Sequence, residues 1–319
     1  MDLEYVSNLI RERKPTIKDS SIKQYNSSLR NLYRKLVPNT PHIDDNNIVC
    51  VNFDHLNDRD KVMDAISSLH ITSQRNCLSA ILCVIDKGEL YDFYGTKVRE
   101  LNKKQTDLYK NNIVSDNTDF KLKNWCCKDI EDCIIKLKLE NNFQTSLLLS
   151  LIYKYLFRNE VASLKLIKKK DYEKLTEEEK LSANYIVKHY SQLFISRGVY
   201  KTDKKHGLVL TTIDDKKLKY DILGYIKTME DNIFFKDENG NQMSNELVSK
   251  KISRATASFK DVENKDPRFG LGTSSINKIV IESLQLDGVE KLLDISNNRG
   301  TSIGTLLHSY YNNYQSKLT

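Results

Sequence analysis

The chain has 319 residues, enough for two domains with cores of their own, and its 39% hydrophobic and 29% charged residues are the balance of a folded chain, not a disordered one. The formal net charge of +7 is unevenly spread: residues 1–120 hold 17 basic and 17 acidic side chains, leaving 33 basic and 26 acidic ones to the remainder. A positive half fits a surface that meets phosphate, and it also fits a lysine-rich solvated surface.

The longest apolar stretch, 146–156, is interrupted by Lys154, so no membrane span is expected. Met1-Asp2-Leu3-Glu4 opens no basic and apolar leader, so no secretory signal is expected either. The six cysteines, at 50, 77, 83, 126, 127 and 133, form no Cys-x-x-Cys pair and have no paired histidines beside them. Reduced thiols in an intracellular protein are the expectation, with no metal site and no cofactor. Abundant Lys, Asn, Ile and Tyr with only four prolines point to an AT-rich genome.

In chain order, Ile22, Tyr25, Leu29, Leu32 and Leu36 recur at helical spacing and predict an amphipathic helix over 17–36. Asp19 or Ser20 would cap it, Pro38 would end it, and Lys23, Arg30 and Arg34 decorate its outside. A short helical segment at about 58–69 leads to a second helix starting at Thr72 or Ser73. It has Leu78, Ile81, Leu82 and Ile85 on one face, Arg75 in its first turn and Gly88 as its stop. A third helix is expected over 92–112.

The polar run 113–123, with Ser115-Asp116-Asn117-Thr118-Asp119, is expected to be a linker between a helical domain (1–112) and a second domain (124–319). The only tryptophan, Trp125, is a packing anchor at its start. Phe143, Leu147, Leu148, Leu151, Ile152 and Tyr155 make the next helix apolar all round, hence buried. Lys168-Lys169-Lys170 and a charged helix (172–184) follow. A strand-like rhythm then runs through 185–187, 193–195, 199–202 and 208–210, the last two forming a β-hairpin around the basic turn at 203–207. Helices at 217–229 and 243–258 flank a turn at 237–241. The expected fold class is mainly α with a small β-hairpin or sheet.

The segment Tyr155-Leu156-Phe157-Arg158-Asn159-Glu160-Val161 carries the chemistry. An arginine closing a buried apolar helix needs an anionic partner, and its planar fork suits two phosphate oxygens. An ion pair with Glu160 or a nearby carboxylate is the alternative. The segment resembles the "LRN(D/E)" first-arginine motif of tyrosine recombinases, in the form found in integrase-like proteins of large DNA viruses. Val199-Tyr200-Lys201-Thr202-Asp203-Lys204-Lys205-His206-Gly207 resembles their "YKTxKxYG" hairpin, and Asn124-Trp125 resembles the "NWxxWEEI" entry to the catalytic domain, without its second aromatic.

The resemblance spans about residues 15–311 and implies a helical core-binding domain clamping a duplex, followed by an α/β catalytic-like domain. It makes Arg158 the clamp on the scissile phosphate and Lys201 the general acid, with Lys23, Arg30, Arg34, Arg75, Lys204 and Lys205 as DNA contacts. The chemistry needs a tyrosine nucleophile and two cations on the nonbridging oxygens, and no metal.

Two boxes depart. Where relatives carry "LRH", Asn277 replaces the second arginine and Lys278 the histidine. In the last box, which resembles "GHSxxTxxxxYY", Thr301 stands at the histidine. Ser302 and Thr305 are kept, Tyr310 falls at the nucleophile, and Tyr311 is its neighbour.

The implied function is binding of double-stranded DNA with strand cleavage impaired or lost, as a homo-oligomer (a tetramer on DNA). The location would be intracellular: a nucleus, a cytoplasmic viral factory or a virion. The alternatives are an active recombinase cutting through a 3′-phosphotyrosine at Tyr310, and a viral structural or scaffold protein reusing the fold.

Overall fold

The computed structural model describes residues 3–37, 53–110, 115–283, 293, 295–297 and 301–310, without the side chains of residues 3, 109, 110, 205 and 307–310. The chain is mostly helical with one four-stranded sheet among the described residues, and it falls into two compact units, Met1–Ile113 and Val114–Thr319.

The first unit is helical: α1 (Leu3–Arg13), α2 (Asp19–Leu36), α3 (Arg59–Ser67), α4 (Ile71–Ile81) and α5 (Glu89–Lys110). The apolar stripe of α2 buries Ile22, Leu29 and Leu32 against Val6 and Ile10 of α1, Val62 and Ile66 of α3, and Leu78 and Ile81 of α4. Asp19 lies inside the first turn of α2, with Lys18 at the cap, and pairs with Arg11 at 3.0 Å. The start of α4 differs from expectation in the same way. His70 is its cap, accepting the Thr72 N–H on Nδ1 at 3.3 Å, and the helix ends at Ile81. Leu82 to Ile85 continue as turns and still pack on the core. Pro38 lies outside the described residues.

The second unit opens with α6 (Asp116–Asn124), where the sequence predicts a polar linker. Ser115 caps it, accepting the Thr118 N–H at 3.4 Å, and Asp116 and Asp119 sit in its first turn. Polar residues that read as a loop are here an N-terminal signal. Trp125 is buried, and its indole N–H donates to Phe269 O at 3.1 Å. Helix α7 (Cys127–Leu139) leads to α8 (Phe143–Tyr155), which runs through the centre of this core with Leu147, Leu148, Leu149, Leu151 and Ile152 all buried.

The sheet follows in the order β1 (Leu164–Lys168), β2 (Asn184–His189), β3 (Gln192–Arg197), β4 (Val209–Thr212). Strand β1 runs parallel to β2, and their crossover carries α9 (Lys169–Tyr172) and α10 (Glu177–Leu181), two short pieces in place of the single charged helix expected. Strands β2, β3 and β4 are antiparallel. The hairpin partner of β4 is therefore 192–197 and not 199–202. Residues 199–202 form bends and turns with only Tyr200 buried, and the connection continues into α11 (Asp203–His206). Helices α12 (Lys216–Ile226), α13 (Asn245–Lys260), α14 (Thr273–Ser283) and α15 (Ile303–Tyr310) complete the unit.

Among the described residues no helix is long and apolar enough to cross a membrane, and no group of His, Cys, Asp or Glu is arranged to hold a metal ion. Cys77, Cys83, Cys126, Cys127 and Cys133 are free thiols.

Candidate functional site

The site grows from the end of α8. The helix is broken by Leu156 in a left-handed conformation (φ 54°), a buried apolar residue where glycine would be cheaper. Phe157 is then driven into the core, and Arg158 takes an extended conformation at the head of a 3-10 turn, Asn159–Ser163, that feeds β1. Arg158 is half-buried, and its Nη1 is shut off from solvent with no hydrogen-bond partner. No carboxylate among the described residues lies within ion-pair distance of it.

Glu160 does not pair with Arg158. Its carboxylate takes Nη1 of Arg197, at the end of β3, at 3.3 Å. Arg197 is 1% exposed, and its guanidinium lies between the rings of Phe157 and Tyr200, at 4.5 and 5.2 Å from their centroids. Burial pushes it below its ordinary pKa, Glu160 works against that, and the like charge of Arg158 adds to the depression. Two guanidiniums thus share one carboxylate's neighbourhood, and only Arg197 is bound to it. The cluster keeps a net positive charge, which is what an anion needs.

Buried polar bonds hold this corner rigid. Asn184, opposite Arg197 in the β2–β3 register, donates to Ser163 Oγ at 2.7 Å and Val199 O at 2.8 Å, and accepts the Val199 N–H at 3.0 Å. Asn159 donates to Ser249 Oγ of α13 at 2.6 Å. A Cβ at Gly198 would collide with the backbone of Lys180 and Leu181, so only glycine lets β3 end there. Tyr200 donates its hydroxyl proton to Gly207 O at 2.8 Å, which closes the β3–β4 connection on itself. Lys201 follows the residue that stacks on Arg197 and is exposed, as is Lys204 on α11. The Lys205 side chain is outside the described residues.

Asn277, on α14, is fully buried, and neither end of its amide has a hydrogen-bond partner. Ile281, one turn further along the same face, packs with Leu156 and with Leu306 of α15, so Asn277 lies a turn from the chain entering Arg158. Lys278 is half-buried; burial lowers its ammonium pKa and Glu282 opposes that. Thr301 is buried and donates its N–H to Ser296 O at 3.0 Å. Ser302 caps α15, accepting the Thr305 N–H at 3.1 Å, so the kept Ser302 and Thr305 spacing forms a helix start. Tyr310 is the last residue of α15, with its side chain outside the described set, and Tyr311 lies beyond it.

In the helical unit, Lys23 and Arg34 are exposed on α2, with Arg30 half-buried on the same stripe. Arg75 is half-buried and donates to Gln105 Oε1 at 2.6 Å and Asn102 Oδ1 at 3.4 Å, tying α4 to α5 while leaving its charge uncompensated by those partners. Arg268 pairs with Asp266 at 2.7 Å on an exposed turn. The sequence offered no clear pointer to Arg197; Arg-Gly at a strand end was the available signal.

No protein-family model and no curated protein matches this chain. Among solved structures, the crystal structure of XerA recombinase is similar at a TM-score of 0.40 and 12% identity, with 99% of this chain and 96% of that chain covered. A likeness that distant carries no function across.

Proposed function

We propose that this chain is a DNA-binding protein of the tyrosine recombinase type in which strand cleavage is impaired or lost. The observation that carries the reading is Arg158, half-buried with an unpartnered Nη1, beside an arginine already neutralised by Glu160. A desolvated guanidinium nitrogen without a partner is costly, and a phosphate oxygen is the acceptor its geometry suits. Lys201, one residue from the Arg197 stack, extends the positive surface outward.

The helical unit serves as a clamp, with Lys23, Arg30, Arg34 and Arg75 toward phosphates. Lys204 and Lys205 extend the contact from the second unit, and the assembly on duplex DNA is a homo-oligomer. Such a role belongs in a nucleus, a viral factory or a virion.

Loss of cleavage follows from Asn277 and Thr301. An uncharged buried amide in the place of a second arginine cannot neutralise a pentacoordinate phosphorane, and removing one such stabilising group costs on the order of 10²–10³-fold in rate. Arg197 does not replace it, because Glu160 cancels its charge.

Two measurements test this. Arg158→Ala should weaken binding to duplex DNA and lower the slope of log K against log salt by about 0.9, one phosphate contact. Unchanged affinity makes Arg158 a structural residue, and binding without salt dependence favours a scaffold role. Incubation with end-labelled nicked duplex, resolved on a denaturing gel beside Tyr310→Phe, should give no covalent band. A band abolished by Tyr310→Phe makes the protein an active recombinase.

A further inference from the structure

The far end of the sheet carries a second cationic surface. Lys168 closes β1 and Lys188 lies opposite it on β2, a like-charge pair in direct register. Like charges placed opposite each other destabilise a sheet. Lys170 follows on α9, and among the described residues Lys168, Lys170 and Lys188 have no carboxylate within ion-pair distance. Only Lys169 is paired, with Glu173 at 3.7 Å. These lysines line an open groove of about 530 Å³ together with His189, Tyr190 and one carboxylate, Glu173, which Lys169 neutralises.

Tyr190 is 85% exposed and sits at the first position of the two-residue β2–β3 turn with φ 52°, a left-handed place that glycine or asparagine fills at less cost. Its ring lies against His189, centroids 4.7 Å apart. The groove is separate from the Arg158 site: that site is at the Leu164 and Asn184 ends of β1 and β2, and this one lies four residues further along, roughly 13 Å away.

We propose that this end of the sheet binds a single-stranded nucleic-acid segment, with Lys168, Lys170 and Lys188 on successive phosphates and Tyr190 stacked on a base. Unpaired cations spread along an open groove beside a solvent-facing ring are the combination single strands use. One free phosphate would occupy a fraction of that groove and leave the ring unused. The inference goes beyond the duplex-binding reading and does not depend on it.

The test is titration of the full chain with a fluorescent twenty-nucleotide oligothymidylate at several salt concentrations. Lys168→Gln/Lys170→Gln/Lys188→Gln should weaken binding and lower the salt slope by about 2, at roughly 0.7 per single-strand phosphate contact. Tyr190→Asn, which suits the turn and so keeps the fold, should weaken binding by about 10-fold with the salt slope unchanged. The triple-lysine variant is titrated with duplex DNA as well, and a loss confined to oligothymidylate keeps failure of this site distinguishable from failure of duplex binding. Wild-type affinity in the triple-lysine variant overturns the proposal. So does an unchanged Tyr190→Asn together with equal competition by polyglutamate, which would make the groove an acidic-peptide site.

Discussion

At the scale of single residues, the site turns on where one carboxylate points. Glu160 lies two positions from Arg158 and is its natural partner on paper, but the 3-10 turn swings it to Arg197 across the sheet. Arg197 is almost wholly buried, so Glu160→Ala should strand a desolvated cation and cost about 3–5 kcal/mol of stability, read as a lower urea midpoint. Asn277 tests the opposite case. Both ends of its amide are buried and unpaired, so Asn277→Leu, similar in size and without polar atoms, should raise stability by about 1–2 kcal/mol. A loss on that substitution would mean the amide holds bonds within the fold. Asn277→Arg that restores cleavage would show a pocket still shaped for a second arginine.

At the scale of elements, the boundaries were set by side chains that periodicity does not weigh. The run Ser115 to Asp119 has the composition of a loop, but a serine cap and acidic first turn start α6. Strand β1 was hidden because Leu164-Lys165-Leu166-Ile167-Lys168 is too short to separate strand from helix by pattern. Pairing with β2, and the Leu166 N–H to Asn232 O bond of 2.7 Å on its other side, made it a strand.

The short turn before α3 carries a titration. His55 is half-buried, edge-on to Tyr33 at 5.0 Å, and burial lowers its pKa from the ordinary value, with Asp54 opposing. The unfolded chain therefore takes up the proton first. Stability should fall as pH drops from about 6.5 toward the lowered folded value, and level off below it. His55→Gln should flatten that slope in thermal midpoints measured between about pH 7.5 and 5.

At the scale of the whole molecule, the two units have cores of their own among the described residues: Leu29 and its neighbours in one, Leu148 and its neighbours in the other. Two cores need not melt together, so the calorimetric enthalpy should exceed the van't Hoff enthalpy. Leu148→Ala should destabilise one transition by about 2–5 kcal/mol and leave the other in place. Equal shifts in both would mean that the units unfold as one.

The sequence alone determined helices α2 to α5 of the first unit, the buried helix that delivers Arg158, and the basic turn ahead of β4. Each of these is a local pattern: a repeat of 3.6 residues, an apolar run, or a turn composition between strands. Tertiary structure decided the partner of Glu160, the burial of Arg197 between Phe157 and Tyr200, the unpaired state of Asn277, and the Lys168 to Lys188 register. The Glu160, Phe157 and Lys168 contacts join residues 20 to 40 positions apart. Desolvation and pairing depend on what packs against a side chain, and no local pattern records that.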